Sequence, residues 1–99
     1  MDDVDFVIFL RMLSKKGFLD TLLLINNKKQ LHYNELQKYL MVKKIVTSQA
    51  SVTIILNGLT NLGLLERTIV DGKPPRTSYS ISKSGKTVLV QLNNLKKSL

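Results

Sequence analysis

The spacing of apolar residues along the chain predicts a mostly helical protein with one short β-hairpin. Apolar residues recur at intervals of three and four in several segments, which is typical of helices that bury one face. From Arg76 to Ser82 they alternate with polar residues instead, which is typical of a strand. The predicted order is helix Val4–Leu13, helix Lys16–Asn26, a short extended piece Leu31–His32, helix Asn34–Met41, helix Ser48–Leu62, strand Leu65–Val70, strand Arg76–Ser82 and helix Lys83–Lys97.

Polar residues and a glycine mark the ends of these helices. Asn34, followed three residues later by Gln37, predicts a capping box at the start of the third helix. Thr47 or Ser48 can cap the fourth helix. Gly63 follows the last apolar residue of that helix, at the position where a left-handed residue commonly ends a helix. The fourth helix therefore has the clearest boundaries in the sequence.

The length and composition indicate one folded domain. A chain of 99 residues is the size of a single domain, and 43% hydrophobic with 22% charged residues is ordinary for a globular one. We predict an α+β fold that is mostly helical and occupies residues 1–99. It divides into an N-terminal helix over residues 1–13, a central unit over 17–82 and a C-terminal helix over 83–98.

The net charge of +8 points to an acidic partner. Nucleic acid is the first candidate for so small a basic domain, and an anionic membrane surface is the second. A third interpretation is that the charge only keeps the protein soluble. No charged residue lies between Ile45 and Leu65, so the positive groups flank this segment rather than lie in it.

Residues that could support catalysis or bind a metal are lacking. The chain has no cysteine and a single histidine, His32, so no triad or metal site can be completed from these residues. The seven carboxylates are scattered, and the glycines fall in separate elements rather than in a phosphate-binding loop. We expect no enzyme activity, no metal and no cofactor.

The apolar runs are too short to cross a membrane. The longest near the start are Phe6–Leu10 and Leu22–Ile25, whereas a spanning helix needs about 20 residues. The sequence begins with Asp2 and Asp3 rather than with basic residues, which differs from a signal peptide. We expect a cytoplasmic protein without a membrane partner.

The third and fourth predicted helices have the lengths of a helix-turn-helix, in which the second helix enters the DNA major groove. With its apolar stripe packed inward, the fourth helix turns several polar side chains and one isoleucine outward. Asparagine and glutamine can pair with adenine, and methyl groups can contact thymine. The alternative is that this face is merely solvated. The candidate base contacts are Ser48, Gln49, Thr53, Ile54 and Asn57.

Basic residues on either side of the fourth helix are candidates for contacts with DNA phosphates. Lys43 and Lys44 precede the helix, and Lys73 and Arg76 bracket the turn of the hairpin. Arg67 is a further candidate, but it could equally pair with Glu66 or Asp71. The remaining lysines of the chain termini and turns are assigned to solubility or long-range steering: Lys15, Lys16, Lys28, Lys29, Lys96 and Lys97.

The first and last helices carry the candidate dimer interface. The first is apolar almost all round, so more than one of its sides needs cover. A partner subunit could provide this cover, or the helix could wrap the core of its own chain. The candidate interface residues are Phe6, Phe9, Leu10, Leu13, Leu89, Leu92 and Leu95.

Three stretches together resemble the winged-helix regulators of the MarR, ArsR and HxlR kind. They are Leu59–Arg67, which contains a leucine-and-glycine corner, Asp71–Gly85, which contains a basic proline turn and the run Tyr79-Ser-Ile-Ser-Lys-Ser-Gly85, and His32–Leu36. The resemblance implies a winged helix-turn-helix with extra N- and C-terminal helices. It also implies homodimers built by the terminal helices, with two recognition helices in successive major grooves.

The sequence departs from this family pattern in its recognition helix. Such helices commonly carry an arginine or lysine, whereas Ser48–Leu62 has neither, and Ile54 stands where a basic residue is frequent. The departure implies a site that leans towards adenine and thymine, or else a modest affinity for DNA. The lack of cysteine also removes the thiolate sensors of some relatives.

The function predicted from the sequence is therefore a homodimeric transcriptional regulator that binds double-stranded DNA sequence-specifically. The alternative is a winged-helix protein–protein interaction module that reads no specific DNA. A regulator that responds to a small-molecule effector is compatible with this fold, but no residue marks a site for one.

Overall fold

The computed structural model describes residues 1–99 and contains five helices and a three-stranded antiparallel sheet. This confirms the α+β, mostly helical fold predicted from the sequence. The elements are α1 (Asp3–Leu13), α2 (Phe18–Lys28), β1 (Gln30–His32), α3 (Tyr33–Val42), α4 (Gln49–Asn61), β2 (Leu65–Val70), β3 (Arg76–Ile81) and α5 (Lys83–Ser98).

Strand β3 lies in the middle of the sheet, which has the order β1-β3-β2. The predicted two-stranded hairpin is therefore incomplete, since β1 pairs with β3 and sets Leu31 opposite Tyr79. Ser78, one of the polar residues that alternate with apolar ones along β3, is buried, with 1% of its surface exposed. The side chain of Gln30 on β1 covers it and donates a hydrogen bond from Nε2 to its Oγ. A central strand is covered on more sides than one strand of an isolated hairpin.

Helix α3 begins at Tyr33, one residue before the start that the sequence pattern predicts. Its N-cap is His32, whose backbone N–H donates to the Glu35 carboxylate at 3.0 Å, so the predicted capping box of Asn34 and Gln37 is wrong. The physical reason is that β1 runs directly into the helix without an intervening loop. Asn34 already lies within the first turn.

The C-terminal end of α4 is a tight corner built on Gly63. The N–H of Leu64 donates to the carbonyl of Leu59, and that of Gly63 donates to Thr60, both at 3.0 Å. These two bonds form a Schellman motif, and Gly63 has the left-handed φ of 78° that the motif requires. The predicted end of α4 is confirmed.

The start of α5 is fastened to this corner. The Ser82 hydroxyl accepts from the N–H of Gly85 at 2.9 Å and donates to the Gly63 carbonyl at 2.6 Å. Gly85 has no room for a side chain, because a Cβ there would lie 2.3 Å from the Leu64 carbonyl oxygen. The serine and the glycine of the Tyr79–Gly85 run thus hold α5 against the end of α4.

The core lies between α2, α3 and α4 and is closed on one side by the sheet. Helix α4 contributes a continuous apolar stripe to it, so the opposite face of the same helix is left in solvent. The fully buried side chains of these three helices include Leu22, Ile25, Leu36, Leu40, Val52, Leu56 and Leu59.

Candidate nucleic-acid interface

The outward face of α4 carries the residues predicted to read bases. Gln49, Thr53, Ile54 and Asn57 are exposed on it, and Ile54 keeps 64% of its surface in solvent. Ser48 precedes the helix as its N-cap and accepts a hydrogen bond from the N–H of Ser51 at 3.2 Å. The structure therefore brings these five side chains together along one helix and its cap.

Tyr33, at the start of α3, fixes the first turns of α4. Its hydroxyl forms a 2.9 Å hydrogen bond with the hydroxyl of Thr53 and lies 3.3 Å from the backbone carbonyl of Gln49. The polar group of Thr53 is thus occupied within the protein, whereas its methyl group remains available. The sequence does not reveal this role of Tyr33, since nothing local shows that its hydroxyl reaches α4.

Arg67 projects from β2 towards the same face of α4. Its Nη2 donates to Oδ1 of Asn57, and its Nε donates to the hydroxyl of Tyr79 at 3.2 Å. The guanidinium also lies over the Tyr79 ring, 5.5 Å from the centroid. The pairing with Glu66 or Asp71 that the sequence left open is replaced by these contacts across the sheet and to α4.

The wing, which consists of β2, β3 and the turn between them, carries Lys73 and Arg76 in exposed positions. Its turn contains a cis peptide bond between Lys73 and Pro74. The base of the turn folds towards the start of α3 and leaves a polar cleft of about 200 Å³, lined by His32, Tyr33, Asn34, Pro74, Pro75, Arg76 and Thr77.

The two lysines between α3 and α4 are exposed at the end of α3. The Lys43 ammonium lies 5.8 Å from the centroid of the Tyr39 ring, which gives it a cation–π contact. Lys44 has a left-handed φ of 58°, so the chain reverses there before α4 begins.

Two lysines that the sequence assigned to steering lie beside α4. Lys15 and Lys16, in the turn between α1 and α2, line a groove of about 260 Å³ together with Ser51 and Ile54. The sequence carries no signal for this neighbourhood, because it depends on how α2 packs against α4. Cations thus approach the uncharged helix from the α1–α2 turn as well as from β2.

The terminal helices expose a large apolar surface. Phe6 is 50% exposed, Leu10 40% and Leu95 55%, whereas Phe9 and Leu92 are partly buried. Leu13 and Leu89 were predicted to lie in a dimer interface, but they are 4% and 9% exposed because they pack into the core of their own chain. Between α2 and α5 lies an apolar groove of about 290 Å³, lined mainly by Leu19, Leu23, Leu89, Leu92, Leu95 and Leu99.

Two further findings concern metals and membranes. No three side chains among histidine, cysteine, aspartate and glutamate lie close enough together to hold a metal ion. None of the helices combines the length and hydrophobicity needed to cross a bilayer.

Comparison with known proteins connects this arrangement to a family of regulators. Residues 19–98 match the family model described as HxlR-like helix-turn-helix. An uncharacterised protein of Methanocaldococcus jannaschii is 35% identical over 81 residues, which cover 80% of this chain and 63% of that relative. The chain therefore spans less than two thirds of the length of this relative.

Solved structures of regulators share the fold. The reduced form of YodB from B. subtilis superimposes with a TM-score of 0.77 at 13% identity, over 98% of this chain and 90% of that one. A protein assigned to the MarR family, from Porphyromonas gingivalis, gives 0.72 at 22% identity over the same shares. A transcriptional regulator homologue from Pyrococcus horikoshii gives 0.71 at 18% identity, over 99% and 97%. At these identities the likeness establishes the winged-helix fold.

Proposed function

Because the chain belongs to the HxlR-like helix-turn-helix family, we propose that it is a homodimeric transcriptional regulator that binds specific sites in double-stranded DNA. In this proposal α4 is the recognition helix in the major groove, and the wing contacts the DNA backbone or the minor groove. The proposal also keeps the cytoplasmic location expected from the sequence.

The observation that carries the proposal is the uncharged outer face of α4 between cationic flanks. Side chains of Gln49, Ile54 and Asn57 are exposed there, and Tyr33 holds the backbone that bears them. Such a face can approach base edges, since phosphate contacts supply most of the affinity and base contacts supply the specificity. In this arrangement the Ser48 side chain mainly caps α4, and Thr53 can contact a thymine through its methyl group.

The phosphate contacts come from both sides of this face. On one side the wing supplies Lys73 and Arg76. On the other side Lys15 and Lys16 lie next to Ile54, and Lys43 and Lys44 precede the helix. A duplex whose major groove receives α4 has a phosphate backbone on each side of that groove, which matches two cationic flanks.

Binding to duplex DNA is expected to weaken as salt is added, because each phosphate contact releases counterions. The logarithm of the binding constant should fall with the logarithm of the salt concentration, with a slope of roughly −0.9 per phosphate contacted. Fluorescence anisotropy with a labelled duplex, chosen by selection from a random library, measures this slope. Salt-independent or undetectable binding would favour the protein–protein interaction module, for which the exposed Ile54 would be the contact.

The terminal helices support the dimer. Exposed apolar residues of α1 and α5 accompany the apolar groove between α2 and α5, and contiguous exposed apolar surface commonly marks a protein–protein interface. We expect a dimer at micromolar concentration by sedimentation equilibrium, and Phe6→Lys should shift it to monomer, because a buried charge without a partner is strongly unfavourable. The matched control is Lys16→Gln, at an exposed site outside both helices. A wild-type monomer would contradict the dimer.

A further inference from the structure

Asn57 and Arg67 form one hydrogen-bonded unit on the outer face of α4. Arg67 donates from Nη2 to Oδ1 of Asn57 and from Nε to the hydroxyl of Tyr79. Tyr79 is 5% exposed and belongs to the core, so a buried residue holds the Nε side of the guanidinium. Strand β2 thus places a cation beside a helix that has no charged residue of its own.

The contact with Arg67 settles the orientation of the Asn57 amide. An arginine side chain has only donors, so the amide atom that faces it must be the oxygen. The Nδ2 group then lies on the other side of the amide, and Asn57 is exposed to solvent. An asparagine that pairs with adenine uses both its oxygen and its nitrogen, and here a charged donor already occupies one of the two lone pairs of the oxygen.

The unit therefore offers mainly donors to DNA, from Nδ2 of Asn57 and from the guanidinium of Arg67. Of the five N–H groups of a guanidinium, Arg67 uses one on Nε and one on Nη2, so three remain, two on Nη1 and one on Nη2. In the major groove guanine presents two adjacent acceptors, N7 and O6, whereas adenine presents an acceptor beside a donor. A group of donors fits the first edge and meets a mismatched amino group on the second.

We propose that Asn57 and Arg67 together select a guanine in each half-site, with Tyr79 as the positioning residue for Arg67. The inference rests on the proposed function and adds a specificity to it. It also replaces the adenine pairing expected for Asn57 from the sequence. At the base pair that Asn57 and Arg67 contact, the DNA site therefore carries a guanine rather than an adenine or thymine.

Selection of bound duplexes from a random library by the full chain tests the proposal. The wild type should select one guanine per half-site that Asn57→Ala and Arg67→Lys no longer select, since lysine keeps the charge but loses the planar fork. Each variant should bind the guanine site about tenfold more weakly and bind the adenine-substituted site almost as the wild type does. The double variant should lose no more than either single one.

Two further variants separate specificity from folding. Asn61→Ala removes another exposed asparagine of α4, and it should keep the guanine preference. Tyr79→Phe keeps the aromatic ring but removes the acceptor of Arg67 Nε, so the preference for guanine should fall while the salt slope stays unchanged. Thermal unfolding of each variant shows that the fold is intact.

The outcomes distinguish this inference from the proposed function. Selection of adenine at the position, or an unchanged preference in Arg67→Lys, overturns the guanine assignment while DNA binding itself stands. An equal loss of affinity for all sequences shows a phosphate contact and also overturns it. If the wild type selects no sequence and binds no duplex in a salt-dependent way, the proposed function fails and this inference fails with it.

Discussion

Replacing Gly85 by alanine should lower the free energy of unfolding by about 3 kcal/mol, the cost of forcing a methyl group into closed space. The added Cβ would lie 2.3 Å from the Leu64 carbonyl oxygen and 2.7 Å from Cγ1 of Ile81. The carbonyl belongs to the backbone of the α4 corner and also accepts from the N–H of Ser82 at 3.0 Å. It cannot move without breaking that bond.

The sign of this effect is opposite to the one expected from helix propensity. Gly85 lies in the first turn of α5, and an alanine in a helix is ordinarily better than glycine by about 1 kcal/mol. A destabilised variant therefore reports the contact with Leu64 and not the helix itself. Urea unfolding at a fixed protein concentration measures the difference, since a dimer makes stability depend on concentration.

Gly63→Ala is the matched control for this experiment. No atom lies within 4 Å of a Cβ built at Gly63, so only its left-handed φ opposes the substitution. The expected loss is about 1 kcal/mol. Equal losses of stability at the two glycines would contradict this account, and so would a Gly85→Ala protein as stable as the wild type. Either result would show that the close contact between α5 and the α4 corner does not determine the stability of the protein.

The features that the sequence predicted correctly are those set by neighbouring residues. The end of α4 follows from Gly63 and the leucines before it, and the starts of α4 and α5 follow from Ser48 and Ser82. Each of these signals acts within one turn of the chain. A pattern of spacing is therefore enough to find them.

The features that it missed depend on distant segments. His32 is the cap of α3 only because β1 pairs with β3, which fixes where the strand ends. The hydrogen bond from Arg67 to Asn57 joins β2 to α4, and the position of Lys16 beside Ile54 depends on packing between helices. Spacing along the chain carries no information about such contacts, so the candidate base readers were found but their partners were not.

The largest effect on DNA binding is expected from removing both cations at the turn of the wing. In Lys73→Gln with Arg76→Gln, two exposed positive charges are lost and no buried contact is disturbed. With a counterion-release slope of about 0.9, each phosphate contact makes binding about fivefold tighter at 0.15 M salt than at 1 M salt. Two contacts per protomer, made by both protomers of a dimer, give a loss of roughly a thousandfold for every sequence.

The salt slope of this variant also reports how many protomers bind. The magnitude of the slope should fall by about 1.8 if one wing contacts DNA and by about 3.6 if two wings do. Lys28→Gln with Lys29→Gln is the control, since it removes the same charge from exposed positions at the end of α2. Sedimentation of each variant verifies that its oligomeric state is unchanged. A wing variant whose slope and affinity match those of the α2 control would place the phosphate contacts elsewhere on the protein. A fall of about 1.8 would keep the wing as a DNA contact and reject the symmetric dimer.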